Sequence, residues 1–286
     1  MPEPESRRGQ AILNLNAYSP SEIQAAIEMV GVTKVDMPFL SCFMLSVVAG
    51  GSIGFGALYY TIVSSDAELS FAVARLLGGL VFSLGLALVL VGGAELFTGN
   101  NLIVMAWASG RVSMARMLRN WAIVYLGNLV GALGLVVLVV LSRHLEMNGG
   151  RLAQTVIDTA GAKIRPDVVT LFFKGVLCNV LVCMAVWLAY AGRSVTDKIV
   201  GLVLPISAFV AAGFEHCIAN LYFLPLAWLI VHTDGPPANT DVSAITVIGI
   251  VHNLVPVTLG NIVGGAGLVG FVYWAIYRKG LAAKLK

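Results

Sequence analysis

Two glutamates and a histidine stand where so apolar a chain should not tolerate charge. They are Glu95 in AELFTGN and the adjacent pair Glu215 and His216 in AAGFEHCIAN. In each stretch an asparagine follows the glutamate five residues on, at Asn100 and Asn220. An ionisable side chain inside a membrane-crossing segment marks, by default, a path for ions or protons. His216 is the group suited to proton exchange, because imidazole titrates nearest neutrality. The glutamates read as loop supports, each carboxylate accepting backbone N–H bonds where the chain leaves the helix. Gly92, Gly93 and Gly99 permit such backbone, and Thr98, Asn100 and Asn101 offer side chains to the freed amides. Metal chemistry is not indicated. His144, His216, His232 and His252 are dispersed without HExxH or HxxxH spacing, and Cys42, Cys178, Cys183 and Cys217 lie singly in hydrophobic segments. No metal, cofactor or enzyme activity is expected.

Composition points to a membrane as the setting. The 286 residues are 58% hydrophobic and 12% charged, against about 25% charged in soluble domains. Charge-free runs recur at 38–65, 76–94, 120–142, 175–192, 199–214 and about 245–277, which predicts six transmembrane helices. Basic residues sort the loops. With both termini cytoplasmic, Arg7, Arg8, Lys34, Arg111, Arg116, Arg119, Arg193, Lys198, Arg278, Lys279, Lys284 and Lys286 fall inside. Outside are Arg143, Arg151, Lys163 and Arg165 in one loop, and Arg75 near a span start. The chain divides into a cytoplasmic N-terminal amphipathic segment (1–37), a six-span channel domain (38–278) and a cytoplasmic tail (279–286). In the first, SPSEIQAAIEMVGVTKV carries a helix-start signature and apolar residues at Ile23, Ala26, Ile27 and Val30. That spacing suggests a helix lying on the membrane face.

The chain repeats itself. LGNLVGALGLV from Leu126 and LGNIVGGAGLV from Leu259 agree at eight of eleven positions, and the glutamate-to-asparagine spacing recurs in the middle span of each half. Three spans per half is an odd number, so the second half enters the membrane from the opposite side. Inverted repeats of this kind hold their site at the repeat interface, with the middle helices broken there. The Gly-Asn pairs in the repeated motif read as small residues for close helix packing. Lys174, early in the fourth span, reads as a lysine snorkelling to the interface.

These residues together resemble the formate/nitrite transporter family. The resemblance is carried in order by FSLGL (Phe82 to Leu86), ELFTGN, YLGNLVGA (from Tyr125), FFKGVLCN (from Phe172), FVAAGFEHCIAN (from Phe209) and HNLVPVTLGN (from His252). It implies an all-α, aquaporin-like fold of inverted three-helix repeats with two broken helices. It also implies a homopentamer in a bacterial cytoplasmic (inner) membrane, with one pore per subunit for small monovalent anions. The matching positions suggest His216 as central histidine, Thr98 as its loop partner, and Phe82, Leu86, Phe97 and Phe209 as apolar constrictions. Lys163 would sit in the outer vestibule, with Arg165 nearby, and Asn253 would face the pore centre. FFKG and the His252-Asn253 pair are similar to nitrite-type members, whereas Gly192-Arg193-Ser194 and the segment from Phe209 to His216 are similar to formate-type ones.

The expected function is a channel or transporter for small weak-acid anions, most directly formate, with nitrite or hydrosulfide as alternatives and protons as possible co-substrate. An ion stripped of water costs several kcal/mol, so a ring of Phe and Leu favours the neutral acid. Taking formate as an ordinary carboxyl, proton transfer from histidine is uphill by roughly 3.5 kcal/mol in water. Between apolar gates the gap narrows, because transfer neutralises both ions. A neutral-solute channel would share the broken helices, but neither break carries a paired Asn-Pro-Ala signature. Lipid is the expected environment, and no nucleic acid is expected as a partner.

Overall fold

The computed structural model describes residues 17–233, 235 and 240–284; Arg7, Arg8 and Lys286 lie outside them. Helix α1 (Pro20–Asp36) starts at a capping box, in which Glu22 accepts from the Ser19 backbone N–H at 2.8 Å. The first half then runs through α2 (Phe39–Ser64), α3 (Phe71–Gly92), a short helical run from Phe97 to Ala108, and α4 (Met114–Leu141). After a crossing helix, α5 (Arg151–Ile164), the second half runs through α6 (Val168–Ala191), α7 (Val195–Ala212), α8 (Cys217–Thr233) and α9 (Val247–Ile262). A π-helical stretch (Val263–Phe271) joins α9 to α10 (Val272–Lys284). No strand occurs among the described residues. Among the described residues six helices are long and apolar enough to cross a membrane, the last being Val247–Arg278. The protein is a multi-pass membrane protein.

Two helices start well before their charge-free runs. α4 begins at Met114 and includes Arg116 and Arg119, and α6 begins at Val168 and includes Lys174. A charge-free window marks only the hydrocarbon-facing stretch, while the helix continues into the interface on residues that satisfy their own charges. At α6 the start is set by Asp167, whose carboxylate accepts from the Val169 and Thr170 N–H groups. Bonds from the Thr170 hydroxyl and backbone hold that carboxyl below its ordinary range.

The halves correspond contact by contact. A Cβ added at Gly131 of α4 would overlap the Val47 carbonyl of α2, and one at Gly264 would overlap the Val176 carbonyl of α6. Such crossings bring backbones closer than any side chain allows. α3 and α7 run antiparallel, with Arg75 Nε donating to the Ala211 carbonyl at 2.8 Å and Ser83 Oγ to the Val203 carbonyl at 3.4 Å. Both end on a left-handed glycine, Gly93 at φ 73° and Gly213 at φ 72°.

The apolar stripe of α1 packs on protein. Ile23 and Ile27 pack into a cluster with Leu102, Met105, Trp187 and Trp274, and Gly31 faces Ala106. Glu28 pairs with Arg111 at 2.8 Å, and Asp36 pairs with Arg116. The stripe thus covers the short helical run from Phe97 to Ala108.

Candidate functional site

Both breaks are held open by an asparagine from the repeated motif. Asn128 accepts from the Phe97 N–H (3.0 Å) and donates to the carbonyls of Ser46 (2.7 Å) and Glu95 (2.9 Å). In the other half Asn261 accepts from the Cys217 N–H (2.9 Å) and donates to Gly175 (2.7 Å) and Glu215 (3.0 Å). These six bonds take up backbone groups that would otherwise be orphaned in a low-dielectric interior. Close packing is the work of the glycines in LGN; the asparagines are the supports.

The glutamates have different partners from those expected. Among the described residues neither carboxylate takes a backbone N–H. Glu95 accepts from Lys34 (2.6 Å) and the Asn100 amide (2.7 Å), and Asn100 also donates to Asn120 (3.1 Å). Glu215 accepts from Lys163 (3.3 Å) and the Asn220 amide (2.7 Å), and Asn220 also donates to Asn253 (2.7 Å). The amide of Asn120 reaches the Lys34 carbonyl and that of Asn253 the Lys163 carbonyl. Each half therefore carries one lysine, one glutamate and two asparagines in the same pattern. All six acidic and amide positions are buried, so each carboxylate is paired where an unpaired one would be very costly. Sequence reasoning missed Lys34, Asn120, Asn128, Asn179 and Asn261 as site-building residues. The repeat offset of the LGN motifs could have found two of them; nothing in the local sequence marks Lys34.

The breaks meet at one contact. Thr98 Oγ1 lies 3.0 Å from His216 Nε2, and both side chains are buried. His216 Nδ1 accepts from the Ala219 N–H at 3.1 Å. Because Nδ1 accepts, the neutral ring carries its hydrogen on Nε2 and donates it to Thr98. A second proton can enter only at Nδ1, where it would face the Ala219 N–H. Thr98 is itself fixed from behind, its carbonyl accepting from Asn179 at 3.3 Å.

A cavity of about 440 Å³ leads to this pair from one side. Phe82, Phe209, Ala219 and His216 border it, and Thr98 lies behind His216. Phe82 meets Phe209 edge-on at 5.7 Å, and Phe209 stacks on His216 at 5.9 Å. Leu86, Phe97 and Asn253 are buried and do not border the cavity; Phe97 instead packs edge-on against Tyr125 at 5.0 Å. Asn253 thus does not face an open pore centre, since its polar atoms are spent on Lys163, Glu215 and Asn220. Lys163 and Lys174 both border the cavity, so Lys174 is not simply directed to the interface. The equivalent place in the other half, beside Lys34 and Asn100, holds a void of only about 30 Å³ under α1. Among the described residues no group of three His, Cys, Asp or Glu side chains is placed to hold a metal.

Residues 21–275 match the family model described as formate/nitrite transporter. The chain is 42% identical over 267 residues to the formate channel FocA of Escherichia coli (strain K12), covering 90% of this chain and 94% of that one. Its fold is similar to a solved pentameric formate channel with formate bound, at TM-score 0.78 and 41% identity, over 84% of this chain and 97% of the other. A solved FNT family ion channel superposes at the same TM-score with 30% identity, over 89% and 98%.

Proposed function

The chain belongs to the formate/nitrite transporter family, and from that premise we propose that it conducts formate and similar small monovalent weak-acid anions as a homopentamer with one pathway per subunit. The observation that carries this reading is the buried Thr98–His216 contact at the end of a cavity floored by Phe82 and Phe209. An anion descending the cavity meets two aromatic edges and then one N–H and one hydroxyl. Apolar rings resist a hydrated ion and pass a neutral acid far more readily. A doubly protonated His216 beside an anion would leave two opposite charges in an apolar site, and passing the Nε2 proton, the one directed at Thr98, to a carboxylate or nitrite there removes both. The neutral acid then crosses the apolar residues beyond, Leu86 and Phe97, and reionises in water.

Flux measurements on purified protein in lipid vesicles test this, with formate, nitrite and hydrosulfide supplied in turn across a pH series. Formate uptake should exceed that of protein-free vesicles and rise as the external solution is acidified. Uptake no faster than through bare lipid would remove the reading.

The cavity opens to the outside in this reading, with both termini cytoplasmic, as the distribution of Lys and Arg favours. Arg151 at the start of α5 is exposed, so an Arg151→Cys variant in whole cells should react with a membrane-impermeant thiol reagent. The native cysteines Cys42, Cys178, Cys183 and Cys217 are all buried and give little background. Labelling only after the cells are opened would reverse the topology.

A further inference from the structure

Five charged side chains border the large cavity: Arg75, Lys163 and Lys174, with Asp158 and Glu215. They are not equivalent. Lys163 lies 3.3 Å from both Glu215 carboxylate oxygens, sits 5.5 Å over the Phe223 ring and is only 15% exposed. Its charge is spent within the protein. Arg165, the other cation of that loop, pairs with Asp241 at 3.5 Å and does not border the cavity. Lys174 differs, for its ammonium makes no ion pair, hydrogen bond or ring contact among the described residues. Arg75 has no carboxylate partner among them; its Nε is held by the Ala211 carbonyl, and its guanidinium packs on Gly213 and lies 5.9 Å over the ring of Phe71.

These two cations, neither paired with a carboxylate among the described residues, flank one segment. Arg75 abuts Gly213, and the Lys174 carbonyl accepts from the Glu215 N–H at 3.3 Å. Between them runs Gly213 to Glu215, the chain that leads to His216. Asp158, the remaining acid, stands exposed on α5 and accepts from Gln154.

We propose that Arg75 and Lys174, rather than Lys163, are the anion-capturing pair, docking a small monovalent oxyanion at the mouth of the path to His216, with Lys163 serving to position Glu215 and its loop. This rests on the transport reading above. With Lys163 and Glu215 paired, the cavity carries two cations against the one exposed acid Asp158, and a cleft of net positive charge raises the local concentration of anions, less so as salt rises. Capture by such a pair therefore sets half-saturation and salt dependence, not the flux of a filled pathway.

The test compares Lys174→Met, Arg75→Gln and the charge-keeping Arg75→Lys with the parent protein in vesicles, measuring formate uptake at low and high salt. Lys174→Met and Arg75→Gln should each raise the half-saturating concentration about three- to tenfold at low salt, a part of the ten- to thousandfold range of such steering. Maximal flux should stay within about twofold, the difference should shrink at high salt, and Arg75→Lys should restore most of the loss. In Lys174→Cys, a trimethylammonio thiol reagent should return the parent half-saturation and a sulfonato reagent should not. Lys163→Met should instead lower maximal flux. Unchanged half-saturation and salt response in Lys174→Met and Arg75→Gln, both assembled, would overturn the assignment.

A second readout needs no transport. The sulfonato reagent should react faster with Lys174→Cys when Arg75 is present than when it is Gln, and the excess should fade with salt. Equal rates would also overturn the assignment. If the parent protein moved no formate while this excess was present, the transport reading would fail and the docking pair would stand.

Discussion

Uptake of a weak-acid anion should lose its dependence on pH when His216 is replaced by phenylalanine. The ring is the buried imidazole at the end of the cavity, and its Nε2 is directed at the Thr98 hydroxyl. Phenylalanine preserves the stack on Phe209, 5.9 Å away in the parent protein, so the apolar gate stays filled. It removes both nitrogens. Proton-transferring side chains contribute about 10²–10⁴-fold to the steps they serve, so at acidic external pH uptake should fall at least about tenfold. It should also cease to climb as pH is lowered. The measurement is initial uptake of formate from pH 5 to 8 in vesicles, with size-exclusion chromatography to check assembly. His216→Asn, which keeps polar atoms but cannot shuttle a proton, should behave alike. A parent-like pH profile in either assembled variant would show that the histidine only packs. Loss of the oligomer in both would assign His216 to structure, through the bond it accepts from Ala219.

Replacing Asn128 or Asn261 with alanine should cost the assembled protein most of its stability. Each amide serves one backbone N–H and two carbonyls across a break. Each buried group left without a partner costs about 1–3 kcal/mol, so three together can exceed the margin by which a protein stays folded. Were the asparagines present only as small residues for packing, alanine, which is smaller, would be tolerated. Thermal unfolding in detergent separates the two: a large drop at both positions supports the bracket role, and an unchanged midpoint at either would contradict it. Asparagine to aspartate keeps an acceptor and loses the donors, so it should be intermediate or worse.

That pair also shows what each level of description can reach. The LGN motifs recur at Leu126 and Leu259 for anyone comparing the halves, yet a linear reading assigns them to helix packing because their glycines invite it. Only folding brings Asn128 to the Phe97 amide and Asn261 to the Cys217 amide, across more than 30 residues of chain in each half. The same holds for the glutamates. A carboxylate beside a break could cap backbone amides, and the choice of Lys34 and Lys163 instead depends on where α1 and α5 dock.

What the sequence by itself determined is whatever depends on local composition and period. Six apolar runs, the two interruptions at Glu95 and Glu215, the inverted duplication and the oddity of a histidine in a greasy segment all follow from residue type and spacing. Tertiary structure alone decided which groups are satisfied and which are free. It brought Thr98 to His216 across 118 residues, paired Lys163 and Arg165, and left Arg75 and Lys174 facing the cavity without a carboxylate. It also packed Ile23 and Ile27 of α1 against Leu102, Met105 and Trp187. The physical reason is that hydrophobic transfer is a sum over a segment, readable one residue at a time, whereas compensation of a charge or an amide is a property of its neighbours in space.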